Sequence, residues 1–196
     1  MYDREAALKN AFNHSVVDLL DIENKDYYSK LTTNQMLSLK TALSNINNII
    51  TLRLAYSLAN WICERFNITE GERETILNII RSAKPNTNGY DIDLSAPDCV
   101  AEIKCNIPIN AGRVYGSAQR NGLQKDIEGL FTGKGKTSKK VENSIKLLGL
   151  YDTPEVRAAT EHFVKNLPAA LKQKLIIEPQ QGSELDAQHV YVVFIT

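Results

Sequence analysis

Cysteine is scarce in this sequence, and the three cysteines, Cys63, Cys99 and Cys105, show no C-x-x-C spacing. An odd number of cysteines without that spacing indicates neither a disulfide framework nor a zinc site. Histidine is equally scarce, and the three histidines are too far apart in sequence to form an H-E-x-x-H or similar helical pair. We therefore expect reduced, partly buried thiols and structural roles for the histidines.

Long apolar runs are also lacking. No segment approaches the roughly 20 consecutive apolar residues that a membrane helix needs, and the N-terminal stretch MYDREAALKN is charged where a signal peptide would be apolar. The sequence therefore predicts a cytoplasmic protein without a membrane partner. At 196 residues, of which 43% are hydrophobic, the chain is long enough for one compact domain over 1–196, mainly helical over 1–82.

An excess of one charge sign is absent as well, since 23 Lys and Arg residues match 23 Asp and Glu residues. The distribution is uneven, because between residues 104 and 140 eight basic residues stand against two acidic ones. This basic stretch is typical of contact with a phosphate backbone, although a solvated lysine-rich loop would give the same pattern. Its basic residues are Lys104, Arg113, Arg120, Lys125, Lys134, Lys136, Lys139 and Lys140.

Helical periodicity dominates the N-terminal part of the chain. A Ser or Thr followed three residues later by Glu or Gln can form a capping box, which marks the start of a helix. We predict a first helix over about 3–20, with Asp3 as its cap. A second helix is predicted from the Thr32 and Gln35 box to about Trp61, and a third from the Thr69 and Glu72 box to about residue 82. A break at Ser44–Asn48 would divide the second helix. The β-branched run in the third also suits a strand, but we favour a helix.

The pattern changes after the turn residues at 84–89, where alternation of period two replaces the helical period. A β-hairpin is predicted over 90–105. The remaining predictions are a helix near 115–130, a helix over 138–149, a helix that begins at Thr153-Pro154, and a closing strand over 189–195. The expected fold class is therefore mixed α/β, with a central mixed sheet flanked by helices and extra helices at the N-terminus.

Two acids are predicted to lie opposite each other in this hairpin. A turn at Ser95–Asp98 places Asp91 opposite Glu102. A shift of the turn by one residue places Asp93 there instead. Either pairing brings two carboxylates within reach of one hard cation, and Mg²⁺ keeps several waters, so two carboxylates and the Ile103 carbonyl are a sufficient set of protein ligands.

A lysine joins the acids, because Lys104 follows Glu102 by two residues and therefore shares its face of the strand. A bound Mg²⁺ can neutralise a phosphate and lower the pKa of a water molecule. Lys104 could orient that water or stabilise the charge that develops on the phosphate. Asp91 in G-Y-D-I-D-L, followed after the turn by Glu102 and Lys104 in V-A-E-I-K, resembles the D…(D/E)xK signature of the PD-(D/E)xK, or restriction-endonuclease-like, nucleases.

This resemblance implies a core made of a helix, a three-stranded β-meander, a helix and a further strand, with the acids on the second and third strands. It also implies cleavage of double-stranded DNA with Mg²⁺, or Mn²⁺ as a substitute, by a homodimer similar to a type II restriction enzyme. A repair or junction-resolving nuclease of the same fold is the nearest alternative. A module that binds DNA or protein without catalysis is another.

Further residues are expected to contribute on the basis of the same resemblance. Glu64 is the candidate for an extra acid from the helix before the meander, although a solvated helix charge would look the same. Gln119, Arg120, Gln124 and Lys125 are candidates for contacts near the phosphate. Asp91 is favoured over Asp93 as the ligand, because many relatives carry the acid after a glycine and because a four-residue turn accommodates Pro97.

Two other motifs are set aside. Pro97-Asp98 matches the letters of the family name but lies in the turn, where it points away from the expected metal. The sequence GLFTGKGKTS contains G-K-T without the first glycine and the preceding strand of a phosphate-binding loop. We therefore expect no nucleotide cofactor.

Overall fold

The computed structural model describes residues 3–84, 89–109, 113–135 and 139–196. Within these residues the chain divides into two compact units, 1–47 and 48–196. The prediction of a single nuclease domain over 1–196 stays a prediction. No helix in the described part of the chain is both long and apolar enough to cross a membrane.

The first unit is helical and is tied together by polar contacts. It contains α1 (Arg4–Leu20), a short 3₁₀ helix (Tyr28–Lys30) and the first part of α2 (Thr33–Arg65). No residue of α1 is buried. Asp26 holds the unit together, because its carboxylate pairs with Lys9 at 2.5 Å and accepts a hydrogen bond from Asn13 at 3.2 Å.

The second unit is built on a five-stranded mixed sheet. After the rest of α2 come α3 (Glu70–Ser82), β1 (Ile92–Ser95), β2 (Asp98–Lys104), α4 (Ser117–Thr132), β3 (Ile145–Tyr151), α5 (Pro154–Lys165), α6 (Ala169–Lys172), β4 (Leu175–Ile177) and β5 (Val190–Ile195). The strand order is β1-β2-β3-β5-β4. β1 pairs antiparallel with β2, and the other three pairings are parallel.

Helices cover both faces of this sheet, and the alternation of side chains along β2 decides which helices meet which residues. Ala101 and Ile103 are buried in one core cluster with α2 and α3. Val100 is buried in a second cluster with α4 and α5. Glu102 and Lys104 are two and four residues after Val100, so their side chains point to the same face of the sheet, which is the face covered by α4.

Most of the predicted elements are confirmed. In both predicted boxes the threonine main-chain N–H donates to the Gln35 or Glu72 side chain, and α2 continues through the predicted break at Ser44–Asn48. The run after Thr69 is a helix, Pro154 begins α5, and the closing strand is β5. The central mixed sheet with flanking helices and three preceding helices is as expected.

Two predictions are wrong, and one strand was not predicted. The chain over 139–149 is not a helix but leads into β3, which lies between β2 and β5 and is buried on both faces. Among the described residues the expected three-stranded meander is only a two-stranded hairpin, because the next strand to join β2 is the parallel β3. The three-residue β4 had no prediction.

Gly149 in β3 lies where α2 packs closely on the sheet. A Cβ atom at Gly149 would lie 3.0 Å from Ile195 Cδ1 and 3.1 Å from Leu58 Cδ2. Gly149→Val should therefore lower the free energy of unfolding by about 1–3 kcal/mol through overpacking. Gly122→Ala is the matched control, since no atom of the described residues outside the local backbone of α4 and the chain neighbours lies within 4 Å of its Cβ position, and it should raise stability by roughly 0.5–1 kcal/mol. Urea denaturation measures both, and equal stability of Gly149→Val and wild type would contradict the packing.

Candidate functional site

The hairpin brings Asp91 close to Glu102. Ser95 pairs with Asp98 and Ile92 pairs with Ala101. Asp91 immediately precedes β1, where its carboxylate lies near enough to raise the pKa of Glu102. The Asp91 main-chain N–H donates to the Ala101 carbonyl at 3.0 Å, and Asp91 Oδ2 accepts from the Ile103 N–H at 2.7 Å. The register with the turn at Ser95–Asp98 is therefore the observed one.

Glu102 is the buried acid of this cluster, with only 3% of its surface exposed. Burial raises the pKa of Glu102 to about 7, and the Asp91 carboxylate adds to this rise while the Lys134 ammonium opposes it. Burial likewise raises the pKa of the half-buried Asp91, against the hydrogen bond from Ile103 and the charges of Lys104 and Lys134. Both acids thus hold protons more tightly than exposed carboxylates do.

Lys134 is the counter-ion of Glu102. It follows the end of α4, and its Nζ lies 2.5 Å from Glu102 Oε1. Apart from this ion pair, Glu102 Oε1 has no hydrogen-bond partner in the described part of the chain. Lys134 Nζ also donates to the Gly89 carbonyl at 3.0 Å and lies 5.4 Å from the centre of the Tyr90 ring. Lys134 was predicted to contact DNA, and its place beside Glu102 was not foreseen.

Lys104 has its own partner on α4, because its Nζ lies 2.9 Å from Asp126 Oδ2. Burial by itself would lower the pKa of Lys104, but Asp126 and the carboxylates of Glu102 and Asp91 raise it above its usual value. Lys104 is therefore a charged ammonium held in place by an acid. Asp126 was missed as a site residue, since the sequence shows only an acid within a basic stretch.

Five charged groups thus meet on the α4 side of the hairpin, and we call them the acid–lysine cluster: Asp91, Glu102, Lys104, Asp126 and Lys134. Three carboxylates and two ammonium groups leave one excess negative charge when all are ionised. Asp91 carries that excess, because it has no ion-pair partner within the described residues and only a main-chain hydrogen bond. An additional cation would therefore be attracted to this cluster.

Asp93 lies farther along the hairpin and belongs to a different pair. Lys139 Nζ is 3.4 Å from Asp93 Oδ1 and 2.7 Å from Asp98 Oδ1. It also donates to the Leu94 carbonyl at 2.8 Å. Asp93 and Asp98 are therefore bridged by a lysine near the turn, and Asp93 lies two residues beyond Asp91 along the hairpin.

The structure does not bring Glu64 to the cluster. Glu64 is exposed on α2, where it lines a surface cavity with Trp61, Arg65 and Asn67. The buried side chains of α2 pack with Ala101 and Ile103, which is the face of the sheet opposite to Glu102. A side chain from α2 would have to pass through the sheet to reach the acids.

The predicted DNA-binding residues divide into three groups. Gln119, Arg120 and Gln124 make local hydrogen bonds to Ile107, Tyr115 and Glu128. Lys134 and Lys139 are in the ion pairs described above. Arg113, Lys125 and Lys140 are exposed, and Lys136 lies outside the described residues.

The donor chemistry of the cluster fits a hard divalent cation in part. Asp91 and Glu102 present carboxylate oxygens close to each other, and Lys134 is the one partner of the buried Glu102 Oε1 within the described residues. Within the described residues, however, no group of three or more Asp, Glu, His and Cys side chains converges as a metal site. The two carboxylates thus suit Mg²⁺, with waters completing its shell, provided that Lys134 leaves Glu102.

No family model matches this sequence, and comparisons with curated proteins and with solved structures found no similar protein.

The raised pKa of Glu102 predicts a pH dependence of stability. Its value moves from 4.5 to about 7 on folding, so between these values the folded protein holds a proton that the unfolded chain has released. The free energy of unfolding should therefore fall as pH rises through this window. Glu102→Gln removes the titration, and its stability relative to wild type should rise by roughly 1–3 kcal/mol between about pH 4.5 and about pH 8.

Urea denaturation in the presence of a chelator measures this difference. Glu161→Gln is the matched control for the loss of one carboxylate, because Glu161 is exposed on α5. A stability difference between Glu102→Gln and wild type that stays constant over the window would contradict the assigned burial.

Proposed function

We propose that this protein is a Mg²⁺-dependent endonuclease that hydrolyses phosphodiester bonds of double-stranded DNA. One observation carries the proposal: the hairpin holds Asp91 beside the buried Glu102, with Lys104 close to both acids. A buried and a half-buried acid beside two lysines are costly to stability, and such groups accumulate at functional sites. The resemblance to PD-(D/E)xK nucleases supplies the reaction and the expectation of a homodimer.

In this proposal Asp91, Glu102 and the Ile103 carbonyl would hold the ion, which would supply positive charge for the scissile phosphate and lower the pKa of a water molecule. Lys104 contributes a fixed positive charge near the reacting phosphate. Asp126 positions Lys104, because their ion pair holds the ammonium at the end of β2. Burial of Glu102 under α4 excludes water from one side of the cluster, which strengthens each of these interactions.

A second candidate is a DNA-binding module without catalysis. It is favoured by the pairing of four of the five cluster groups, Lys134 with Glu102 and Lys104 with Asp126, since such ion pairs can serve structure alone. Cleavage of plasmid DNA with Mg²⁺, with and without chelator, separates the two candidates. DNA binding without any cleavage would support the module.

Substitutions at the two acids of the hairpin test the proposed ligands. Glu102→Gln should abolish cleavage while DNA binding persists, because it removes a ligand charge without removing the fold. Asp91→Asn should lower the cleavage rate by several orders of magnitude. Asp93→Asn should lower it by only about 10–100-fold, as expected for an outer partner.

The rates are measured on plasmid DNA at saturating Mg²⁺, with Glu161→Gln as an exposed-carboxylate control that should cleave like wild type. Full activity of Glu102→Gln would remove Glu102 from the site. A larger loss for Asp93→Asn than for Asp91→Asn would identify Asp93 as the ligand.

The basic stretch is tested through its exposed lysines. Lys125 and Lys140 are exposed, whereas Lys134 and Lys139 are engaged by acids. If both exposed lysines meet phosphates, replacing them with alanine should flatten the log–log dependence of DNA affinity on salt by about 0.9 per contact. Lys165→Ala, at the exposed end of α5, is the control. An unchanged slope in the double variant would mean that these lysines are only solvated.

A further inference from the structure

Lys134 occupies a set of partners that would suit any cation. Its ammonium contacts the Glu102 carboxylate at 2.5 Å and the Gly89 carbonyl at 3.0 Å, and it lies 5.4 Å from the centre of the Tyr90 ring. A carboxylate, a carbonyl and an aromatic face each attract positive charge. Lys134 therefore fills the position that the cluster offers to a positive ion.

A divalent ion at Glu102 cannot bind independently of Lys134. Glu102 Oε1 is buried and its one charged partner within the described residues is Lys134. Two cations on one buried carboxylate repel each other strongly, because little water screens them. The cluster carries one excess negative charge with Lys134 in place. A divalent ion would turn this into one excess positive charge, and withdrawal of Lys134 would restore neutrality.

The chain around Lys134 permits this withdrawal. Lys134 lies between Gly133 and Gly135, and within the described residues no heavy atom beyond the neighbouring residues in the chain lies within 4 Å of the Cβ position of either glycine. Gly133 has a φ of +85°, a conformation that favours glycine. Lys104 differs, because it belongs to β2 and is held by Asp126.

We propose that Lys134 is a built-in competitor of the metal ion: its ammonium neutralises Glu102 in the metal-free protein and leaves when a divalent cation binds. This inference rests on the proposed function. Under this competition the affinity for the ion depends on Lys134 as well as on the acids, because the ion can bind only when the ion pair between Lys134 and Glu102 breaks.

Mn²⁺ titration followed by electron paramagnetic resonance of the free ion tests the competition without any cleavage. Lys134→Met should bind Mn²⁺ about tenfold more tightly than wild type or more, because the competing charge is gone. Lys134→Arg keeps the charge and should bind within a few fold of wild type. Lys140→Met removes an exposed lysine and should leave the affinity unchanged. The gain should disappear when Asp91→Asn is added to Lys134→Met.

The outcomes separate the two hypotheses. If wild type binds Mn²⁺ and Lys134→Met binds no more tightly, the competition is wrong while the metal site stands. A gain that survives Asp91→Asn places the ion elsewhere and also overturns the competition. If wild type and all variants bind no Mn²⁺, the proposed metal-dependent function falls together with this inference.

A measurement on the unaltered protein covers the case in which Lys134→Met does not fold. Acetylation of lysines, quantified by mass spectrometry, should modify Lys134 several-fold faster with Mg²⁺ than with chelator, because the ion releases the half-buried amine. Acetylation of Lys140 should be equal under both conditions. An unchanged ratio of Lys134 to Lys140 labelling in protein shown to bind the ion would overturn the inference.

Discussion

Burial of the Glu102 carboxylate is the constraint that organises the second unit around its hairpin. An unpaired charge in such a place costs several kcal/mol, on the order of 3–5 when one partner of a buried pair is lost. The structure satisfies this requirement with Lys134, which follows α4, and the ion pair of Lys104 with Asp126 adds a second connection. α4 is thus attached to β2 by charges as well as by apolar residues such as Leu123 and Ile127.

Side chains alternate along β2, so the two faces of this strand contact different helices. Ala101 and Ile103 build the core with α2 and α3, whereas Glu102 and Lys104 face α4. Glu64 was predicted as a further acid of the site, but α2 packs on the face of the sheet opposite to the acid–lysine cluster, so Glu64 cannot reach it. The helix that follows the hairpin can supply partners to the face of the cluster, and Asp126 is its contribution.

Local patterns predicted most of the fold and three of the five residues of the acid–lysine cluster, Asp91, Glu102 and Lys104. The boxes at Thr32 and Thr69 and the hairpin register depend on residues close in sequence, so they could be read directly. The segment 138–149, which contains most of β3, was predicted as a helix, and the burial of β3 depends on its pairing with the distant β2 and β5. The places of Asp126 and Lys134 depend on how α4 packs, which no local pattern encodes.

The hairpin register also has an evolutionary consequence. Asp91 and Glu102 lie on one side of the hairpin in the register that pairs Ser95 with Asp98. A one-residue insertion or deletion within the paired residues would turn one acid to the opposite face, whereas the turn itself can lengthen without this effect. Selection on this protein should therefore act on the length of the two paired strands more strictly than on their composition, and lineages that keep the pair of acids should differ within these strands by substitution and not by insertion.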